Sequence, residues 1–564
     1  MGMRTAHGFG ARFGILAAMV GLIGACGGEP EAEIGIEGDE EVVAQEEDAL
    51  VGACDTKLGV PGISASVTQD GNPASQAVDG DLATRWSGLG KGANITADLG
   101  AQKPVCSVGV AWYQGDTRTN AFTVGLSSDG TNFTQAYSGT SLMNTSLQTY
   151  PVTPTNARYV RLTVNGNTVN DWASVNELQI TGTTGFKHPG ILSSKAQLDF
   201  VKAKVAAGAE PWTSLVKKAK AGKWGNLAYV ATPVPEMKCG NGSSSLDQGC
   251  SAAMNDALAA YTQTLIGYYT GDKAYTANAI KILNAWSSTL DVLIFDKTKI
   301  STDPDQNNGP LVSAWLAESF PRSAEILRYT DSGWASADIQ RFSDMMTGVF
   351  LPHIINGWTH ANSNWVLSMA NGVVNIGVFT NNKATFDKGL ALWRTRVPQN
   401  MYLTKDGPLP IAPPEYNTTE KLINSWYGQT TFVDGINQET CRDFGHTQMG
   451  IASTVAAAET ARLQGVNLYG EQETRIVAAM EFIAKYMNAK QTTVASWLCG
   501  GTLKLGDLPA WEIGYNHYAK RLGKAMPETA TTVARTRAAS LTHTNLQMAW
   551  EALTHGDVGN LPLP

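Results

Sequence analysis

From about residue 187 to the C-terminus, apolar positions recur every three or four residues. The runs LDFVKAKVAAG, MNDALAAYTQTLIGYYTG, AYTANAIKILNAWSSTL and IVAAMEFIAKYM each predict an amphipathic helix. Their connections, TGDK, TNNK and QGVNLYGE, are short, so consecutive helices pair back to back. Repeated helix pairs predict an all-α domain, an α/α toroid or incomplete barrel, over 186–564. Residues 54–184 follow a different rule. Short alternating runs such as FTVGLS and RYVRLTV are separated by turn dipeptides, Asp129-Gly130 and Asn165-Gly166. A period of two with regular turns predicts an all-β sandwich. The fold class is therefore multidomain, a β-sandwich followed by a helical toroid.

The first 25 residues match neither pattern. Arg4 and Arg12 precede the apolar run GILAAMVGLIGA, the layout of a secretory signal. The residues Leu22-Ile23-Gly24-Ala25-Cys26 resemble a bacterial lipobox, which implies lipidation of Cys26 and an exported, membrane-anchored protein of the periplasm, outer membrane or cell surface. Residues 26–53 then form an acidic tether, with ten acids and no Lys or Arg between 27 and 52. The net charge of the chain is −8. Without the ten tether acids and the two leader arginines the remainder is neutral, so the acidity says nothing about the substrate and a polyanion needs a locally basic site. No nucleic-acid partner is expected, and the protein is expected to be a monomer.

Six cysteines remain beyond Cys26, an even number that suits an exported protein with disulfides. Cys239 and Cys250 bracket a Gly/Ser-rich loop and are the first pair to expect. Cys54 with Cys106 and Cys441 with Cys499 is the working assignment for the rest.

Chemistry concentrates in three polar knots beside helix starts. The stretch NQETCRDFGHTQMG (437–450) crowds Glu439, Arg442, Asp443 and His446 together. Either a helix begins near Glu439 and carries Glu439, Arg442 and His446 on one face, or Asp443 caps a helix that begins after it. A structural ion pair between Glu439 and Arg442 with a buried His446 is the plain alternative. HANSNWVLSMANG (360–372) brings His360, Asn362, Asn364 and Trp365, and WEIGYNHYAKR (511–521) brings Tyr515, Asn516, His517 and Tyr518. Residues 405–438 form a Pro-rich segment with little periodicity that leads into the first knot, and a loop of that length in a compact domain is usually functional.

The stretches NPASQAVDGDLATRW (72–86), ITADLG (95–100) and ARYVRLTV (157–164) resemble the discoidin or coagulation-factor type C family, whose fold bacterial carbohydrate-binding modules share. The resemblance implies a structural calcium at Asp79, Thr84 and Glu177, hard oxygen ligands that suit that ion. It also places glycan contacts on loops at one end of the sandwich, where Trp112, Tyr113 and Trp172 are candidate stacking aromatics. HPGILSSKAQLDFVKAKV together with the NSNW, ETCRDFGHTQ and GYNHY segments resembles the alginate lyase superfamily over about 187–555. That likeness implies β-elimination on an acidic polysaccharide without an organic cofactor. The expected roles are Arg442 and Asn362 as carboxylate neutralisers, His446 as the base or the group that holds it, and Tyr515 as proton donor, with Tyr427 and Tyr518 in reserve. Glu439 would orient Arg442, and Asn364, Trp365 and His517 would contact substrate. Two positions depart from the better-known alginate lyases. No His matches their Asn-His before the Trp, where this chain reads Asn362-Ser363-Asn364. The catalytic Tyr seven residues after the Arg is Met449 here. The substrate is therefore open between alginate, a related uronan such as glucuronan, and a host or algal glycan. Two rival readings are a glycoside hydrolase using Glu439 and Asp443, and a non-catalytic glycan-binding lipoprotein.

Overall fold

The computed structural model describes residues 54–183, 185–240, 246–299, 304–359, 361–544 and 546–558. The leader, the Cys26 lipidation site, the acidic tether and His360 lie outside the described residues. The chain divides into two compact units at a boundary between Lys187 and His188. No described helix is long and apolar enough to cross a membrane.

The N-terminal unit is a β-sandwich of eight strands: β1 (Cys54–Lys57), β2 (Gly62–Ala65), β3 (Trp86–Leu89), β4 (Ala93–Trp112), β5 (Asn120–Ser127), β6 (Thr134–Thr140), β7 (Gln148–Asn167) and β8 (Trp172–Thr183). All pairings are antiparallel, in the order β1-β8-β4-β7-β5-β6, with β2 on β4 and β3 on β8. The long strands β4 and β7 are interrupted in register near Asp98/Lys103 and Val105/Ser107. Before the break β4 pairs β2, and after it β4 pairs β8. Inward positions alternate along each strand and meet in a core that includes Trp86, Trp112, Phe122, Val124 and Leu162. The Cys54–Cys106 disulfide ties β1 to β4.

The C-terminal unit contains α1 (Lys195–Ala206), α2 (Trp212–Ala221), α3 (Cys250–Thr270), α4 (Lys273–Ser287), α5 (Gly309–Arg328), α6 (Ser336–Met345), α7 (Ser363–Phe379), α8 (Lys383–Asn400), α9 (Thr419–Ser425), α10 (Phe444–Leu463), α11 (Leu468–Glu471), α12 (Glu473–Asn488), α13 (Glu512–Tyr515), α14 (Pro527–Ala538) and α15 (Glu551–His555). The helices α1, α3, α5, α7 and α10 pack in succession. The ring then passes through α13 and α15 back to α1. Helices α4, α6, α8, α12 and α14 lie outside this inner ring. This is the toroid expected from the helix pairs. Among the inner helices, α5 is buried from Gly309 to Leu327, as an element surrounded by others must be.

The unit is not purely helical. A small sheet of β9 (Glu236–Cys239), β10 (Asp247–Gln248) and β11 (Val292–Ile294) runs in the order β10-β9-β11. Strands of two to four residues leave too short a pattern to separate from loop. Likewise α9 lies within the Pro-rich segment, where seven residues are too few for periodicity to register. Disulfides join Cys239 to Cys250 and Cys441 to Cys499, which completes the three expected pairs.

Two inner helices, α7 and α10, position the polar knots. Gly450 on α10 faces the first residue of α7, and a Cβ there would come within 2.6 Å of Ser363 Oγ. A Cβ there would force the Ser363 hydroxyl to turn away, so glycine suits this close approach. Further along, Ser368 and Ser453 hydroxyls bond at 3.0 Å, and Ser453 donates to Glu318 of α5 at 2.8 Å. Burial pushes the Glu318 carboxyl up to about 7.

Candidate active site

The segment 437–443 folds as a tight turn. Thr440 N–H donates to Asn437 O, and Arg442 and Asp443 N–H both donate to Glu439 O. Asp443 then caps α10, its Oδ1 accepting from His446 N–H at 2.8 Å. The second of the two sequence readings is the one adopted. Its Oδ2 bonds His446 Nδ1 at 2.7 Å, which fixes the imidazole orientation. Burial opposes ionisation of Asp443, but the His446 contacts and the Arg442 charge leave its pKa lowered.

The turn aims Gln438 and Glu439 at the start of α7. Asn362 occupies the N-cap position, yet its side chain makes no capping bond. The orphan donors of that helix end are met from the other chain segment instead. Ser363 N–H donates to Gln438 Oε1 at 2.9 Å, and Asn364 N–H donates to Glu439 Oε2 at 2.7 Å. Asn364 Nδ2 also donates to both Glu439 oxygens, at 2.8 and 2.9 Å. Arg442 Nη1 completes the set, 2.9 Å from Glu439 Oε1. Glu439 is fully buried, whereas the Arg442 side chain keeps 15% of its exposure. The carboxylate thus holds one face of the guanidinium while part of the cation reaches solvent.

Asn362 is left to serve another partner. Its Nδ2 donates to Tyr427 Oη at 3.0 Å. The Arg442 charge also acts on the Tyr427 phenol. Tyr427 lies just beyond α9 with φ +55°, followed by Gly428 at φ +80°. A left-handed tyrosine is an uncommon conformation that costs on the order of 1 kcal/mol or more. Gln429 anchors this turn: its side chain accepts from Cys499 N–H at 2.8 Å and donates to Trp497 O at 2.8 Å. Burial and the Glu439 charge raise the Tyr427 pKa, with Arg442 and Asn362 opposing. The phenol therefore stays protonated at neutral pH while 40% of the residue remains exposed.

The structure joins Asn362, Tyr427, Glu439, Arg442, Asp443 and His446 through the first turn of α7 and the capped start of α10. Trp365 is half-buried and meets Trp358 edge-on at 5.3 Å. Four other expected site residues belong elsewhere. Asn364 is fully buried and spends its amide on Glu439, so it is a support rather than a substrate contact. The third knot does not join the first two. Helix α13 packs with Gly514 against Val455 of α10, nine residues past His446, or about 14 Å along the axis. The Tyr515 ring lies beside Lys520. His517 stacks on Tyr469 at 3.7 Å, and Tyr518, fully buried, donates to Tyr469 O at 3.0 Å. Burial, opposed by Glu459 and aided by Arg521, takes the His517 imidazole down to about 3. His517 and Tyr469 lie near the buried pair of Glu459 and Arg462 towards the far end of α10. They serve its interior and not the helix start.

In the sandwich, Trp112 is core, 1% exposed, with Tyr113 and Trp172 half-buried. At the end where β4 stops and β5 and β8 begin, the Arg85 guanidinium lies 4.1 Å from the Tyr113 ring centroid. Arg118 is 3% exposed with Nη2 unpartnered, and neither polar atom of the Asn120 side chain has a partner. Burial lowers the Arg118 pKa, with Tyr113 opposing and Arg85 adding to the effect. A buried, incompletely bonded guanidinium beside an aromatic face suits an anionic sugar. Sequence reading missed this group because Arg and Asn in a loop carry no spacing signature.

The expected calcium ligands are close together. Thr84 Oγ1 lies 3.1 and 2.9 Å from the Asp79 carboxylate oxygens, 2.9 Å from Asp81 O and 3.3 Å from Gln76 O. One hydroxyl proton cannot satisfy four acceptors. The crowding of oxygens therefore fits a hard cation. Glu177 meets the same turn by accepting Gly80 N–H at 3.1 Å and pairs with Lys57 at 3.7 Å. Among the described residues, no cluster of three or more His, Cys, Asp or Glu could hold a metal.

Residues 62–178 match the family model for the F5/8 type C domain, and residues 235–493 match the model for alginate lyase. Among solved structures, a family 32 carbohydrate-binding module (CBM32) of AlyQ in complex with 4,5-unsaturated mannuronic acid is 44% identical, covering 22% of this chain and 97% of that one, with a TM-score of 0.22. A truncated AlyQ with CBM32 and alginate lyase domains is 40% identical over 25% of this chain and 38% of its own, TM-score 0.22. A pectin-binding carbohydrate-binding module is 23% identical over 22% and 94%, TM-score 0.22. No curated protein matches the chain.

The interior pair at the far end of α10 gives a pH prediction. Burial would raise the Glu459 pKa, but Arg462, His555 and Arg521 hold it at about 2. A depressed carboxylate stabilises the fold fully above its unfolded pKa, near 4.3, and that share is lost as pH falls towards 2. Glu459→Gln is expected to remove on the order of 3 kcal/mol at neutral pH and to flatten the acid limb of the stability curve. Denaturant melts from pH 7 to pH 3 check this. Parallel curves for the two proteins would contradict it.

Proposed function

The chain carries an F5/8 type C domain followed by an alginate lyase domain, and from that premise we propose that it cleaves a uronic-acid polysaccharide by β-elimination at the Asn362–Tyr427–Arg442 cluster. The observation that carries the proposal is the bond of the Asn362 amide to Tyr427 Oη beside the partly exposed Arg442 guanidinium, which Glu439 holds and whose charge acts on the phenol. The C5 proton of a uronate is weakly acidic because the adjacent carboxylate already bears charge. Donors aimed at that carboxylate offset the charge that builds on proton removal. Arg442 and Asn362 supply those donors. His446, oriented by Asp443, is the base, and Tyr427 takes the acid role expected of Tyr515. Its raised pKa keeps the proton until the glycosidic oxygen needs it, and the two donors then stabilise the phenolate. Met449, at the position of the family's tyrosine, is buried and carries no proton.

The hydrolase alternative is disfavoured by the carboxylates themselves. Glu439 is fully buried with both oxygens bonded, and Asp443 is committed to the α10 cap and His446. Neither is placed to attack a sugar or activate water. Absorbance of the unsaturated product in the ultraviolet reads the reaction directly. Arg442→Ala and Tyr427→Phe are each expected to lower kcat at least about 100-fold, within the range for loss of a charge-stabilising donor or a general acid, with the fold intact by circular dichroism. Full turnover in either folded variant would refute the assignment.

The β-sandwich is the appended glycan-binding module, and we assign it a calcium held by Asp79, Thr84 and Glu177 with the carbonyls of Gln76 and Asp81. Support comes from the four oxygens around Thr84 Oγ1. Chelation is expected to lower the melting temperature of the module and Ca²⁺ to restore it. An unchanged melting temperature would remove the ion from the account. The leader suggests export and a lipid anchor at Cys26, which would hold the enzyme at a bacterial membrane beside its polymer. Cys26→Ser is expected to move the protein from the membrane to the soluble fraction, and continued membrane retention would argue against the anchor.

A further inference from the structure

Asparagine is among the best N-cap residues because its side chain bonds the free N–H groups of the helix start. Asn362 holds that position on α7 and makes no such bond. Gln438 takes the task over. Its Oε1 accepts Ser363 N–H at 2.9 Å. Its Nε2 donates to Ser425 O and, at 3.1 Å, to Asn362 Oδ1.

These contacts fix every amide end by elimination. A backbone N–H can only donate, so the Gln438 atom facing Ser363 is oxygen. A backbone carbonyl can only accept, so the atom facing Ser425 is nitrogen. That nitrogen must find an oxygen on Asn362. The Asn362 amide therefore turns its Nδ2 toward Tyr427 Oη. Tyr427 then accepts from Asn362, and among the described residues none takes its proton. With Asn362 reversed, the phenol would donate to Asn362 Oδ1 and the site would lose both a carboxylate donor and a free acid.

We infer that Gln438 is a positioning residue that sets the hydrogen-bond polarity of Asn362 and, through it, leaves the Tyr427 proton free for the leaving oxygen. This role rests on the lyase reading. Gln438 is 5% exposed and acts through its neighbours. The ionisable groups bonded to those neighbours are Tyr427, through Asn362, and Glu439 with Arg442, at the next residue of the α7 start.

The informative variant is Gln438→Glu. Once ionised, the introduced carboxylate cannot donate to Asn362 Oδ1, so the Asn362 amide reverses. When protonated, it carries one O–H and can stand in for glutamine. The variant is expected to lose at least tenfold in kcat at pH 8, with KM changed less than threefold. Its rate relative to wild type should recover as pH falls to 5. Gln438→Met, which cannot donate at any pH, should show a loss that does not recover. Equal kcat ratios for Gln438→Glu at pH 8 and pH 5, or Gln438→Met within twofold of wild type, would overturn the inference.

A second readout needs no turnover. In protein labelled with ¹⁵N-asparagine, the Asn362 side-chain amide signals, assigned with Asn362→Ala, should shift in Gln438→Glu at pH 8 and return at pH 5. A shift of this kind in an enzyme that yields no unsaturated product would uphold the positioning role and refute the lyase reading. Unmoved signals in an active enzyme would do the reverse.

Discussion

A buried carboxylate organises the end of the helical unit where α7 and α10 begin. Glu439 is removed from solvent, and an isolated charge there would be prohibitively costly. It is tolerated because four bonds converge on it: the Asn364 N–H, two approaches of the Asn364 amide, and one arm of Arg442. Those same bonds make the site. They cap α7 from outside, hold the start of α7 against the start of α10, and fix one arm of the partly exposed Arg442 guanidinium. Gly450 permits the approach, and Asp443 starts α10 in the right register for His446 to follow.

The arrangement separates support from chemistry. Glu439, Asn364 and Gln438 are buried, and the carboxylate of Glu439 and the amide of Gln438 meet the free N–H groups of Asn364 and Ser363 at the helix end. Asn362, Tyr427 and Arg442 are the partly exposed members, each with donor or proton capacity directed away from the support. A site that must stabilise a transient negative charge gains from such rigidity, since donors already in place need not reorganise as charge develops. The cost appears in the left-handed backbone of Tyr427, which Gln429 and the Cys441–Cys499 bridge hold in place.

Much of the fold was legible because it depends on local period. Alternation marked the sandwich, three-to-four spacing marked the helix pairs, and the DGDxxTRW stretch marked the turn where Asp79 and Thr84 meet. That the knots of Asn362 and Arg442 lie side by side was also legible, since two knots beside helix starts can share one rim. What failed was the third knot. Tyr515, His517 and Tyr518 are polar and aromatic for the same reason as the others in sequence terms, yet α13 packs against the middle of α10, and His517 and Tyr518 pack on Tyr469. Sequence spacing cannot say which end of an inner helix a later segment will reach. Tyr427 was underrated because its approach to Asn362 is a contact across 65 residues, created by a turn that no periodicity encodes. Asn364 looked like a ligand and proved to be the partner a buried carboxylate requires.

The most direct test of this account is a crystal structure of the Tyr427→Phe variant with a bound uronate oligosaccharide. The account predicts one sugar carboxylate within about 3.2 Å of both Asn362 Nδ2 and an Arg442 nitrogen, with the scissile oxygen over the Phe ring edge where the hydroxyl stood. An oligosaccharide seated elsewhere on the helical unit, its carboxylates answered by other cations and Arg442 still facing only Glu439, would contradict it.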